Sequence, residues 1–104
     1  MADFNALLID SVDETVREVL GAKATSALWR HYEAYLGITR DEIPHKLPML
    51  FESLRGVFGV GGDILGQGIV RRLYMKARVP LLLIPNRKLE DYVEELKRIL
   101  AETS

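Results

Sequence analysis

The sequence contains no cysteine, almost no net charge and no long apolar run, and each absence excludes a class of protein. Without cysteine the chain has no disulfide, no thiolate metal ligand and no cysteine nucleophile. Its 14 basic and 15 acidic residues give a formal net charge of −1, so no global charge attracts nucleic acid or anionic lipid. No apolar run approaches the ~18 residues of a transmembrane helix, so no membrane association is predicted.

The rest of the composition is typical of a globular protein. Hydrophobic residues make up 48% and charged residues 28% of the 104 residues, which suits one domain with its own core. Asp3 stands where a secretory signal carries basic charge, so we expect a cytoplasmic protein. No repeat, low-complexity tract or linker interrupts residues 1–104, which we therefore interpret as a single domain.

Apolar residues recur at helical spacing through the first third of the chain. A first helix is predicted from Asp3 to Leu20, followed by Gly21, and a second through Leu36, followed by Gly37. Glycine suits both positions because the left-handed conformation of a helix C-cap costs it nothing. Two helices with glycine ends are therefore expected.

The middle of the chain carries two helix-start motifs. Thr39 and Glu42 have the spacing of a capping box, in which the glutamate accepts a hydrogen bond from the threonine amide. Pro44 limits the helix that they begin to one short turn. Pro48 suits the first turn of a third helix, which is expected to end near Gly59.

The last third predicts two more helices around an unusual segment. The three glycines of residues 59–63 predict a loop, followed by a fourth helix whose apolar stripe consists of Ile64, Leu65, Ile69, Leu73 and Tyr74. Val79–Pro85 has flanking prolines and predicts a short extended segment, and a last helix is expected from Lys88 to Ala101. The predicted fold is all-α: a five-helix orthogonal or bundle-like domain with a short extended segment before the last helix.

The glycine loop and the pair formed by Gly62 and Gly66 can each be interpreted in two ways. The loop at residues 59–63 could aim amides at a phosphate, but Ile64 breaks the G-x-G-x-x-G spacing and no Lys-Ser or Lys-Thr follows. A tight interhelical turn is favoured. Gly62 and Gly66 stand four residues apart, which indicates close packing inside the chain or, alternatively, a helix-crossing dimer contact.

A basic stretch is the main electrostatic feature. Residues 64–88 contain no acid and six cations, namely Arg71, Arg72, Lys76, Arg78, Arg87 and Lys88. These cations could form a solvated face, pair with the acidic first helix of this or another copy, dock an acidic protein, or contact nucleic-acid phosphates. The sequence leaves all of these open.

Four consecutive large apolar residues lie in the extended segment, namely Leu81, Leu82, Leu83 and Ile84. Burial of each of these side chains would stabilise the protein by ~1.5–3 kcal/mol, so we expect them to be buried. Burial within the monomer is the simpler interpretation. An interface, with pairing to a symmetry mate, is the alternative.

The sequence contains no set of residues that predicts a catalytic site or a metal site. Asp41 and His45 have an i, i+4 separation that Pro44 interrupts, and no third ligand is apparent, so neither metal nor cofactor is predicted. His31 could act as a general base only beside a nucleophile and an orienting group, and the sequence indicates neither. Trp29, Tyr32 and Tyr35 predict core positions on the second helix, with a ligand pocket near Trp29, His31 and Tyr32 as the alternative.

The stretch from Leu8 to about Tyr74 resembles small archaeal helical proteins related to the Nitrosopumilus output domain family. The residues that carry the resemblance are Leu8–Glu14, Val19–Gly21, His31-Tyr32, Gly37-Ile38, Asp41–Pro44, Phe51–Leu54, Phe58-Gly59, Gly62, Ile69 and Leu73-Tyr74. The resemblance implies an archaeal helical module that acts as a signalling output or interaction element and transfers no catalytic residue. The chain departs from it after Lys76.

The sequence therefore predicts a non-enzymatic regulatory or interaction module, expected to be a homodimer or to bind a protein partner. It would use the basic surface of the fourth helix or the Leu81–Ile84 segment. A nucleic-acid-binding protein that uses residues 71–88 and a small-ligand-binding domain are the alternatives.

Overall fold

The computed structural model describes residues 3–103, and these residues are predominantly helical. The α-helices are α1 (Phe4–Leu20), α2 (Ala22–His31), α3 (Leu47–Phe58), α4 (Val60–Ala77) and α5 (Leu89–Thr103). A π-helical turn (Tyr32–Leu36) extends α2, and a 3-10 helix (Arg40–His45) precedes α3. The predicted all-α fold is confirmed, including the non-helical segment before the last helix.

Helix α4 is the central element, because α1, α3 and α5 all pack against it. Its Leu65, Ile69 and Leu73 recur at helical spacing and are buried. Helices α1 and α5 supply the facing side chains, which are Leu8, Val12 and Val16 from α1 and Tyr92, Val93 and Leu96 from α5. The radius of gyration of 13.2 Å matches the ~13 Å of a compact 100-residue domain, so the helices share one core.

The helix ends follow the predicted caps. Gly37 has the predicted left-handed conformation, at φ 65° and ψ 27°. Gly21 also has a positive φ, of 91°, but its ψ of 169° is extended and not left-handed. Glycine adopts both conformations without strain. The Glu42 carboxylate accepts hydrogen bonds from the Thr39 amide (3.1 Å) and hydroxyl (3.0 Å). These two bonds hold the pKa of Glu42 below its usual range. The second helix reaches Leu36 as predicted, although its last turn is wider than an α-helical turn.

The loop predicted over residues 59–63 is wrong. Only Gly59, at φ 60°, separates α3 from α4, and Gly61 and Gly62 lie inside α4. A Cβ at Gly62 would overlap the carbonyl oxygen of Leu54 and lie 2.6 Å from the amide nitrogen of Arg55. Glycine is therefore present because two helix backbones touch, not because the chain turns there.

The remaining glycines of α4 also face neighbours within the chain. A Cβ at Gly66 would lie 2.5 Å from Leu89 Cδ1, and one at Gly68 would lie 3.1 Å from Thr15 Cγ2. Gly62 and Gly66 are both buried in the monomer. Intramolecular packing is thus confirmed for this pair, and the alternative of a glycine-mediated dimer contact is wrong.

We expect Gly62→Ala to lower the free energy of unfolding by about 3 kcal/mol or more, because a methyl group has no space between two backbones. Gly56→Ala in α3 is the matched control, since nothing lies within 4 Å of its Cβ position. The control should gain about 0.5–1 kcal/mol from reduced chain entropy. Urea denaturation measures both, and equal effects of the two substitutions would contradict the close helix contact.

Candidate functional site

Residues 79–85, named here the leucine segment, connect α4 to α5. Arg78 ends α4 in the left-handed conformation at φ 59°, and Asn86 turns the chain at φ 63° before α5 begins. Val79 and Ile84 each precede a proline, which disfavours helical geometry at both residues. Two left-handed residues and two prolines therefore hold the segment outside any helix.

Most of the segment's apolar side chains face solvent. Leu82, Leu83 and Ile84 are 78%, 68% and 50% exposed, whereas Leu81 is half-buried and packs against the core. Burial within the monomer, the simpler prediction for all four residues, is wrong for three of them. The interface alternative is the one that the exposed side chains favour.

Two buried tyrosines fix the end of the segment. The Tyr92 hydroxyl accepts a hydrogen bond from the Ile84 amide (2.7 Å) and donates one to the Ile84 carbonyl (3.0 Å). The Tyr74 hydroxyl donates to the Tyr92 carbonyl at 2.6 Å. Sequence reasoning missed this arrangement, because both tyrosines simply match the apolar periodicity of their helices.

The backbone of the segment's centre is open. Within residues 3–103, the amides and carbonyls of Leu81, Leu82 and Leu83 make no intramolecular hydrogen bond. Pro80 has no amide proton to contribute. The exposed leucines therefore stand on a stretch of chain whose polar groups depend on water or on a partner.

An exposed stripe on α4 adjoins the leucine segment. We name it the α4 face; it consists of Val60, Ile64, Gln67, Arg71 and Met75. The three apolar members of this face are 78%, 64% and 77% exposed. Leu83 lines a small cavity together with Gln67 and Arg71, so the segment and the face are continuous. Sequence reasoning assigned Ile64 to the core stripe of the fourth helix, which is wrong.

The acidic face of α1 neutralises part of the predicted basic stretch. Arg72 pairs with Glu14 (3.7 Å) and with Glu18, and Lys76 pairs with Glu14 at 2.7 Å. This confirms internal compensation by the first helix for both cations. Each ion pair joins α1 to α4 beside their apolar contact.

Of the other four cations in the basic stretch, one is paired and three are not. Arg87 pairs with Glu95 and lies over the Tyr92 ring at 4.8 Å. In the described part of the chain, Arg71, Arg78 and Lys88 form no ion pair. Half of the six predicted phosphate contacts are therefore already engaged within the molecule.

Two side chains of the ligand pocket predicted on the second helix, Trp29 and Tyr32, make hydrogen bonds to neighbouring elements. Trp29 Nε1 donates a hydrogen bond to buried Asp13 at 2.9 Å, and the Arg40 guanidinium lies 4.9 Å above the indole ring. Tyr32 is buried and shares a 2.7 Å hydrogen bond with Ser53. The three cavities beside α4 and α5 are lined by none of Trp29, His31 and Tyr32.

Tyr35 corrects a second expectation about this helix. It was predicted to lie in the core with Trp29 and Tyr32, but it is 78% exposed and stacks on His31 with ring centroids 5.0 Å apart. The π-helical turn shifts the helical register after His31, which takes Tyr35 off the buried face.

The largest of the three cavities is a cleft of about 460 Å³ between α3, α4 and the start of α5. Its wall carries charges of both signs, including the Arg55–Asp63 ion pair at 2.9 Å, with Lys88 and Glu90. Across residues 3–103, no three His, Asp or Glu side chains converge as metal ligands. No helix in the same range has the length and apolar content needed to cross a membrane.

Neither a protein family, nor a curated protein, nor a solved structure matches the chain. The fold and the exposed surfaces therefore define its class directly: an all-α domain with an apolar segment held at its surface.

We expect Tyr92→Phe to release the leucine segment. The loss of two hydrogen bonds should cost about 1–2 kcal/mol of stability and remove the exchange protection of the Ile84 amide. Amide hydrogen exchange measures this. Tyr74→Phe is the control, because it removes one bond to α5 and leaves the Ile84 amide bonded; equal protection in both variants would contradict the assigned anchor.

We also expect stability to fall in alkaline solution. Burial raises the pKa of Tyr32 and of Tyr74, and Glu95 adds to the effect at Tyr74. Above pH ~10 the unfolded phenols lose their protons before the folded ones, so stability present below that pH is lost as the pH rises. Denaturation midpoints between about pH 9 and 11 should decline less in Tyr32→Phe than in exposed Tyr35→Phe.

Proposed function

We propose that this protein is a non-enzymatic interaction module that works as a homodimer through the leucine segment and the adjoining α4 face. One observation carries the proposal: Leu82, Leu83 and Ile84 are at least half exposed on a segment that the structure holds in place. An apolar surface of this kind is typical of a protein contact.

The energetics favour association. Each large apolar side chain gains ~1.5–3 kcal/mol when it leaves water, and the monomer forgoes this gain at three consecutive positions. The anchoring of Ile84 by Tyr92 reduces the entropy that a partner would have to remove. The segment is therefore prepared for docking rather than folded onto its own core.

Other features of the chain agree with an interaction role. The resemblance to the output domain family implies an interaction element without catalytic residues. Three of the six basic residues are paired with acids of the same chain, namely Arg72, Lys76 and Arg87. Fewer cations are therefore free to contact nucleic-acid phosphates than the sequence alone indicates. The open backbone of Leu81–Leu83 adds donors and acceptors that a protein partner can use.

Sedimentation velocity over a range of concentrations tests the proposal. The unmodified chain should reach the mass of two copies, and a Leu82→Asp, Leu83→Asp double variant should dissociate at least about a hundredfold more readily, since two apolar burials are lost. Its circular dichroism should remain helical, because neither side chain belongs to the core.

Tyr35→Asp is the matched control, since Tyr35 has the same 78% exposure as Leu82 but follows α2. It should leave the dimer intact. A chain that remains monomeric at every concentration, or a dimer insensitive to the double variant, would refute the proposed surface. Salt-dependent binding of DNA or RNA by a monomer would establish the nucleic-acid alternative instead.

A further inference from the structure

The α4 face has a residue order that is complementary to itself. Val60 and Met75 lie equally far from the midpoint between Gln67 and Gly68, and Ile64 and Arg71 do so as well. A two-fold axis through this midpoint would pack α4 antiparallel against α4 of a second copy. Val60 would then face Met75 of the partner subunit at both ends, so that the most exposed apolar residues of the face cover each other.

The charges select the antiparallel arrangement. Arg71 has no ion pair within the described residues, and a parallel arrangement would place it beside its own copy. In the antiparallel arrangement its aliphatic stem would lie on Ile64 of the partner subunit, and its guanidinium would reach the neighbouring Asp63 of the partner subunit. Both contacts of Asp63 with Arg55 use Oδ1, which leaves Oδ2 to accept a second cation.

The leucine segment lies close to the position of this two-fold axis. Leu83 borders Gln67 and Arg71, close to the midpoint of α4 and to one side of the α4 face. An axis perpendicular to two antiparallel helices keeps such an element on the same side in both copies. The two leucine segments would therefore meet along one edge of the helix pair.

We propose that the partner is a second copy of this chain, bound with its α4 antiparallel, Arg71 paired with Asp63 and the leucine segments side by side. This inference rests on the homodimer of the proposed function and adds its geometry. The interface is isologous, so each contact occurs twice.

The absence of native cysteine allows a direct test by single-cysteine variants and a short bismaleimide cross-linker. Gln67→Cys should cross-link to itself in most of the dimer. Val60→Cys and Met75→Cys should not do so alone, because 15 residues of helix separate each from its own copy by about 22 Å. A mixture of these two variants should give the mixed cross-linked dimer. Tyr35→Cys is the control that should stay unlinked.

The outcomes separate this inference from the proposed function. A dimer by sedimentation in which Gln67→Cys stays unlinked would overturn the α4 arrangement and leave the homodimer in place. Self-linking of Val60→Cys and of Met75→Cys would show a parallel arrangement and also overturn it. A monomer by sedimentation would remove both proposals together.

Discussion

The direct contact between the backbones of α3 and α4 is the constraint on which the other features depend. It requires glycine at position 62, because any side chain would overlap the Leu54 carbonyl. It brings α4 into the middle of the domain, where α1 and α5 also cover it. These three helices cover most of the surface of α4, so that one stripe of it stays exposed to solvent. The α4 face is therefore a consequence of how closely the helices pack.

The leucine segment reflects the same limited space. The core is already filled from the helices, and among the residues of the segment Val79 and Leu81 pack against it. The chain must still pass from the end of α4 to the start of α5, and Tyr92, whose carbonyl is bonded by Tyr74, holds it at Ile84. The hydrogen bonds thus fix the segment at Ile84, while the side chains of Leu82 and Leu83 before it stay in water.

Much of the local structure could be predicted from the sequence. Gly21, Gly37 and the Thr39–Glu42 capping box lie where their conformational preferences placed them, and the basic residues Arg72 and Lys76 do pair with the acidic first helix. The failures share a cause. A glycine-rich stretch predicts a turn and equally permits a close helix contact, and the choice between them depends on what lies opposite. Tyr35 was misplaced because a periodicity argument assumes a regular helix, and the π-helical turn breaks that regularity.

By itself the sequence determined the all-α class, most helix ends and the non-helical segment, because these follow from contacts between residues within about four positions of each other. Only the tertiary structure decided which apolar residues stay exposed and which cations stay unpaired. Leu54 meets Gly62 across a helix junction, Tyr74 reaches the Tyr92 backbone, and Arg72 reaches Glu18 from 54 residues away. Such contacts depend on the packing of whole helices, and helical periodicity shows which residues share a face but not whether a neighbour covers that face.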